Sequence, residues 1–363
     1  MTTYYTSSAA LGGGVGSYAD PFTLQEAFDT ATAGDEVRVL NDGTYYPTAT
    51  IDVDTNLGTA TSAIVFVGRN SADTAEEVAT ISATSLTSGN VMYINFGVTT
   101  HAYVHLKKLK FDGNVSGTPI VNSNNFYVRG LHWFDCIFTN SDHYAFNSGC
   151  YNSTMTRCQF IDNASISLFG FRNGLIVGCY FEGSGTGVYE NALFGCQHTY
   201  FYGCVFRNVG NAYSDMGGFF NCTFDGNSNQ AKAIAANVSN TTPIVNCVFA
   251  NYTTRAIESG SSQISSAIKG CYFYNNTADT DFTIDSTNTL GGADPQFTNT
   301  TNGTEDYTPQ TGSPLIGAGQ PSLIPNSSAS DMTSKPTIGA ITAAIAAAAT
   351  SVYSYVANFT RLG

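Results

Sequence analysis

Cys136-Ile137-Phe138, Cys158-Gln159-Phe160, Cys179-Tyr180-Phe181, Cys204-Val205-Phe206, Cys222-Thr223-Phe224, Cys247-Val248-Phe249 and Cys271-Tyr272-Phe273 repeat one tripeptide pattern. Successive cysteines lie 22, 21, 25, 18, 25 and 24 positions apart. A recurring unit of that length predicts a solenoid. Cys and Phe at i and i+2 share one face of a strand. One strand per coil then points a small sulfur and a large ring into a continuous interior.

Working outward, Leu109-Lys110-Phe111 fills the same slot before the first Cys, with Leu replacing the thiol. Asn140, Asn208, Asn251 and Asn275 stand two places after their Phe, and Asn163 three after. Asn tolerates left-handed backbone, so these positions predict a corner. Stacked there, the amides predict a hydrogen-bonded ladder. Tyr144-Ala145-Phe146, Ile166 with Leu168, Val188, Ile234 and Ile257 read as a second strand in each coil.

The N-terminal part reads differently. Thr23 and Glu26 form a capping box, and Leu24, Ala27, Phe28 and Ala31 share a helical face. Gly34 is the expected helix stop. Such a helix would cover the open first coil. Gly12-Gly13-Gly14-Val15-Gly16 lacks the Lys and Ser/Thr of a phosphate loop and reads as a turn. The expected organisation is a cap over 1–55, a solenoid over 56–318, and a linker with an attachment or oligomerisation arm over 319–363. No charge occurs from Ile338 to Phe359, but the polar interruptions favour a docking arm over a membrane span.

Hydrophobic content of 42% supports a core, while only 11% of residues are charged. The net charge of −13 argues against a nucleic-acid partner. Lys107, Lys108 and Lys110 read as a solvated strand edge. Inward stacking makes the cysteines reduced, buried thiols rather than disulfides, and Cys150 and Cys196 have no zinc-ligand spacing. Met1-Thr-Thr-Tyr-Tyr lacks the pattern of a leader, so folding in a cytosol is the expectation.

The opening Tyr4-Tyr5, Leu24-Gln25-x-Ala27 and Ala33-Gly34-Asp35-x-Val37-x-Val39, the Cys-x-Phe units, and the closing Asp294-Pro295-x-Phe297 and Gly312-Ser313-Pro314 resemble the right-handed parallel β-helix proteins of the pectate-lyase-like superfamily. The resemblance covers the chain to about residue 318 and implies an all-β fold. That superfamily includes polysaccharide lyases, hydrolases, adhesins and phage tail spikes, so the fold does not choose among them.

An enzyme here would need paired carboxylates, or a Lys or Arg base beside acidic residues. Asp135, Asp162, Glu182, Glu190, Asp215 and Glu258 occur singly. In the slot before each Cys, Asp135 is followed by Arg157, Gly178, Gly203, Asn221, Asn246 and Gly270, which makes no carboxylate ladder. Arg157 and Arg172 show no acidic cluster in register. Asp142 and His143 face opposite ways on a strand. No catalytic, cofactor-binding or metal residue is assigned, and no cofactor is expected.

The leading reading is a structural or adhesive bacteriophage virion protein: a head fibre, decoration protein or tail-spike body. Tyr189, Tyr213 and Tyr272 are candidate exposed aromatics for host glycans. Its partners would be other virion proteins through the C-terminal arm and copies of itself, trimeric as in spikes of this kind. The alternatives are a polysaccharide lyase or hydrolase, and a bacterial cell-surface adhesin.

Overall fold

The computed structural model describes residues 1–319 except 55, 87–88, 95–100, 114–118, 142, 164–167, 184–192, 195, 211–213, 216, 235–241, 259–266, 285–288 and 302–305. The expected C-terminal arm therefore lies outside the described residues. Two compact units are distinguished: Met1–Leu175 with Phe181–Gln197, and Ile176–Tyr180 with the chain from His198 on.

In the first unit the strands Thr3–Thr6, Glu36–Asn41, Ile64–Asn70, His101–Lys107, Val121–Phe134 and Thr154–Thr156 form one parallel sheet. Ala79–Ser82, Leu109–Asp112, Ile137–Thr139 and Gln159–Asn163 form a second parallel sheet. Phe138 is in register with Phe111 on one side and Phe160 on the other, which places Leu109-Lys110-Phe111 in the repeat slot. Ring centroids step by 5.4 Å from Phe111 to Phe138, then 4.8 Å to Phe160 and 4.8 Å to Phe181.

The helix Leu24–Thr30 begins with the expected Thr23–Glu26 capping box and buries Leu24, Ala27 and Phe28. It ends at Thr30, ahead of Gly34, because Ala31 already leaves helical backbone; Gly34, at φ +88°, makes the following turn. Phe28 stacks on Phe66 with centroids 3.9 Å apart. The Gln25 amide accepts from the Asp52 N–H at 2.8 Å and donates to the Asp52 carbonyl at 3.0 Å. The helix thus satisfies backbone groups beside the strand Ile51–Val53, which limits the hazard of an open edge.

The second unit repeats the plan. Tyr200–Tyr202, Gly218–Phe220, Ile244–Val245 and Ile268–Lys269 form one parallel sheet. Val205–Arg207, Thr223–Asp225, Val248–Ala250, Cys271–Tyr274 and Thr289–Gly291 form the other. All nine cysteines are buried free thiols. Burying each Phe ring is worth roughly 1.5–3 kcal/mol, so the repeat carries much of the fold's driving force.

Corners follow a backbone rule. The residue before each Cys is left-handed: φ is +52° at Asp135, +53° at Arg157, +51° at Asn221 and +54° at Asn246. A second left-handed corner stands two places after Phe, at Asn140, Asn208, Asn251 and Asn275. In the coil of Phe160 that place is taken by Asp162, at φ +54°, and Asn163 instead turns inward and is buried. The expected amide ladder is present only in part: the Asn275 side chain donates to that of Asn251 at 2.8 Å, but Asn251 donates to the Asp225 carboxylate at 2.9 Å and Asn140 to that of Asp112 at 3.0 Å.

From Phe297 the chain leaves the parallel pattern. Phe297–Asn299 and Asp306–Pro309 pair antiparallel, and Leu315 is buried against Val248 and Tyr272. The residue between Cys and Phe should face outward. In this unit Val205, Thr223, Val248 and Tyr272 are nonetheless buried. Residues 294–301 and 306–318 cover this face, with Tyr307 packed against Val205. Tyr307 Oη donates to the buried Asp225 carboxylate at 2.7 Å.

Candidate functional site

A third corner supplies a column that the Cys-x-Phe pattern does not show. Arg129, Tyr151 and Arg172 each precede a left-handed residue: Gly130 at φ +72°, Asn152 at +47° and Asn173 at +49°. Tyr151 is in register with Arg129 and bridges to Arg172 in parallel. Val128, Cys150 and Phe171, one position earlier, are buried, so strand alternation turns the column outward. Arg172 Nη1 donates to Tyr151 Oη at 2.9 Å, and its guanidinium lies 5.8 Å from the ring centre. The exposed His101 is in register beyond Arg129 and stacks on Tyr103.

Most of the other described arginines and several lysines are paired. Arg38 and Arg69 hold Asp73, Lys107 holds Glu76, Arg157 holds Asp135, Lys232 holds Glu258 and Arg255 holds Asp281. Arg129 and Arg172 have no ion pair among the described residues, and both Nε atoms are buried without a hydrogen-bond acceptor. A cation with no carboxylate in an acidic chain is a ready anion site. A guanidinium offers a carboxylate two parallel donors, and a Tyr ring offers a sugar an apolar face.

The acidic candidates remain scattered. Asp135 is half-buried, and Arg157 grips it through two bonds of 2.6 and 2.8 Å, so Arg157 has one acid in register rather than an acidic cluster. Burial pushes the Asp135 carboxyl up, but the Arg157 hydrogen bond and charge, with Lys108 and Lys107, outweigh it and hold it below the ordinary range. Asp162 is exposed at its corner, Glu182 is half-buried, and Glu258 is bonded to Lys232 at 2.5 Å. His143 lies edge-on to Tyr144 at 4.0 Å. Asp142, Ile166, Val188, Tyr189, Glu190 and Tyr213 lie outside the described residues, as does the side chain of Asp215. Tyr272 is not an exposed aromatic: it is buried against Leu315, Phe297 and Ala318 and donates to the Ala293 carbonyl at 2.8 Å. Among the described residues no group of three or more His, Cys, Asp or Glu gathers to hold a metal. Among them, too, no helix is long and apolar enough to cross a membrane.

No family model matches the chain, and no curated protein matches it. Among solved structures it is similar to the pectate lyase Pel9A, at 13% identity and a TM-score of 0.61, over 93% of this chain and 96% of that one. An alginate lyase from Paenibacillus sp. str. FPU-7 matches at 14% identity and a TM-score of 0.47, over 80% of this chain and 98% of that one. ORF18 of Geobacillus virus E2 matches at 16% identity and a TM-score of 0.37, over 78% of this chain and 61% of that one. The likeness to Pel9A establishes the fold: a right-handed parallel β-helix of the pectate-lyase kind.

Proposed function

We propose that this protein is an adhesive, glycan-binding β-helix protein of a bacteriophage particle, and that it grips an acidic polysaccharide along Arg129, Tyr151 and Arg172. The observation that carries the reading is the pair of guanidiniums that have no ion pair among the described residues, in a chain of net charge −13. The field of the whole chain repels a polyanion, so attraction has to be local, short-ranged and salt-sensitive. Successive coils rise about 4.8 Å, which sets the two arginines roughly 10 Å apart along the column with the phenol between them. Such a column grips a sugar chain without providing a base beside an acid.

The particle setting is supported by the nine free thiols, which suit folding in a reducing compartment. Particle proteins fold in the host cytosol and leave by lysis. In this reading residues 319–363 join the chain to other particle proteins and to copies of itself.

Binding to polygalacturonate, alginate and dextran surfaces over a salt series tests the glycan reading. Wild type should hold the acidic polymers and lose them as salt rises. Arg129→Ala with Arg172→Ala should weaken binding tenfold or more, since each hydrogen bond to a charged group is worth about 1.5–3 kcal/mol. Equal binding by the double variant, or a preference for dextran, refutes it. New unsaturated or reducing ends in the bound polymer would replace adhesion by cleavage. Mass spectrometry of purified particles tests the setting; absence of the chain from them removes it.

A further inference from the structure

We infer, resting on the glycan reading above, that the column takes a polysaccharide of disaccharide repeat, in which a carboxylate-bearing sugar alternates with a neutral one. A fourth rung extends the column. Arg129, Tyr151 and Arg172 stand seven places before Cys136, Cys158 and Cys179, and Gln197 stands seven before Cys204. The backbone places Gln197 as it places the other three. Cys196 before it is buried, as are Val128, Cys150 and Phe171. His198 after it is left-handed at φ +51°, as are Gly130, Asn152 and Asn173. The Asn173 N–H donates to the Gln197 carbonyl at 2.9 Å, and one coil earlier the Asn152 N–H donates to that of Arg172 at 3.1 Å. Gln197 therefore sits one coil beyond Arg172, half-buried and on the outer face.

The four rungs run cation, neutral, cation, neutral. Coils rise by about 4.8 Å, and an extended chain of pyranoses advances by nearly the same length per sugar. The column thus meets one sugar per rung and neutralises one charge for every two. Tyr151 and Gln197 matter here by carrying no charge, and each keeps the contacts it already makes, such as the Arg172–Tyr151 bond of 2.9 Å. A carboxylate set against either of them leaves water without a counter-ion, in a chain whose net charge of −13 already repels it. A carboxylate set against Arg129 or Arg172 meets a planar fork of donors. A polymer charged on every sugar brings twice the charge that the column can match. One charged on every second sugar brings the matching number. In the sequence the next slot, seven before Cys222, holds an acid, Asp215, so the alternation is confined to these four positions.

Binding of the full chain to surfaces of hyaluronan, polygalacturonate and dextran of matched length, at one fixed salt concentration, tests this. Hyaluronan alternates glucuronate with a neutral N-acetylated sugar, polygalacturonate is charged at every sugar, and dextran is neutral. Hyaluronan should bind tighter than polygalacturonate by roughly tenfold, the cost of one carboxylate left unpaired. Tyr151→Lys charges the neutral rung between the arginines and should reverse that order. Should it fail to fold, Gln197→Lys at the end of the column serves instead and should close the gap. Polygalacturonate held by wild type as tightly as hyaluronan, or an order that the Lys variants leave unmoved, overturns the alternation and leaves the glycan reading standing. Binding to neither acidic polymer removes the glycan reading and the alternation with it.

Discussion

Phe224 and Phe249 lie ring on ring, centroids 4.8 Å apart and planes 7° from parallel. Isolated aromatic pairs prefer an offset or edge-to-face arrangement. Here the strand spacing of a parallel sheet imposes the stack. Edge-to-face contact comes from the other sheet: Phe219 meets Phe224 at 5.4 Å and 76°, and Phe206 at 5.9 Å and 81°.

Phe224→Ala should therefore cost about 3–5 kcal/mol, because rings above and below are held by their own ladders and cannot collapse into the void. Urea denaturation measures it. A loss under about 1 kcal/mol would mean that the ring is not interior.

Asn163 is a buried staple between coils. Its carbonyl accepts from the Ser141 N–H at 3.1 Å and its amide donates to the Phe138 carbonyl at 3.2 Å. Asn276 repeats the geometry toward Tyr252 and Phe249. Asn163→Ala strands two backbone groups and should lose about 2–3 kcal/mol. Asn275→Ala, at the exposed end of the amide ladder, should lose under about 1 kcal/mol. The reverse order in denaturation curves would contradict this assignment.

Tyr307→Phe removes the donor to the buried Asp225 carboxylate and should cost about 1.5–3 kcal/mol. The segment 294–318 should then become the first site of limited proteolysis. Unchanged cleavage kinetics would show that Leu315 and Phe297 alone hold it down.

His132 should make the fold acid-sensitive. Burial, then the neighbouring His105, push its value down from 6.5 to about 3. The unfolded chain binds the proton first, so stability falls as pH drops from about 6.5 toward about 3. At most about 1.4 kcal/mol per pH unit is lost. His132→Asn should flatten that slope in denaturation series at several pH values. An unaltered slope places the acid sensitivity elsewhere.

Asp135 acts in the same direction over a lower window. Its folded value is depressed by Arg157 against the opposing effect of burial, so its stabilisation is present above about 3.8, the ordinary value, and fades as pH falls through the folded one. Asp135→Asn should cost about 1 kcal/mol at neutral pH and nothing in strong acid. A cost that persists at low pH would point to lost packing instead.

Much of the candidate column was open to reading. Arg129, Tyr151 and Arg172 stand seven places before Cys136, Cys158 and Cys179, and so share their spacings of 22 and 21. A search anchored on the tripeptide looks inward, and the outward residues of another corner escape it. The pairing of Arg157 with Asp135 was also within reach, since both precede a Cys.

The parallel coils, the inward thiols and rings, the capping helix and the amide corner were set by local pattern, because alternation and left-handed backbone act over a few residues. Which cations stay unpaired was not. Lys107 finds Glu76 across 31 positions, whereas Arg129 finds no carboxylate among the described residues, and only the register of coils of unequal length decides that. The burial of Tyr272 has the same origin. A segment well beyond it in the chain folds back over its face, and nothing in the local sequence around Tyr272 carries that information.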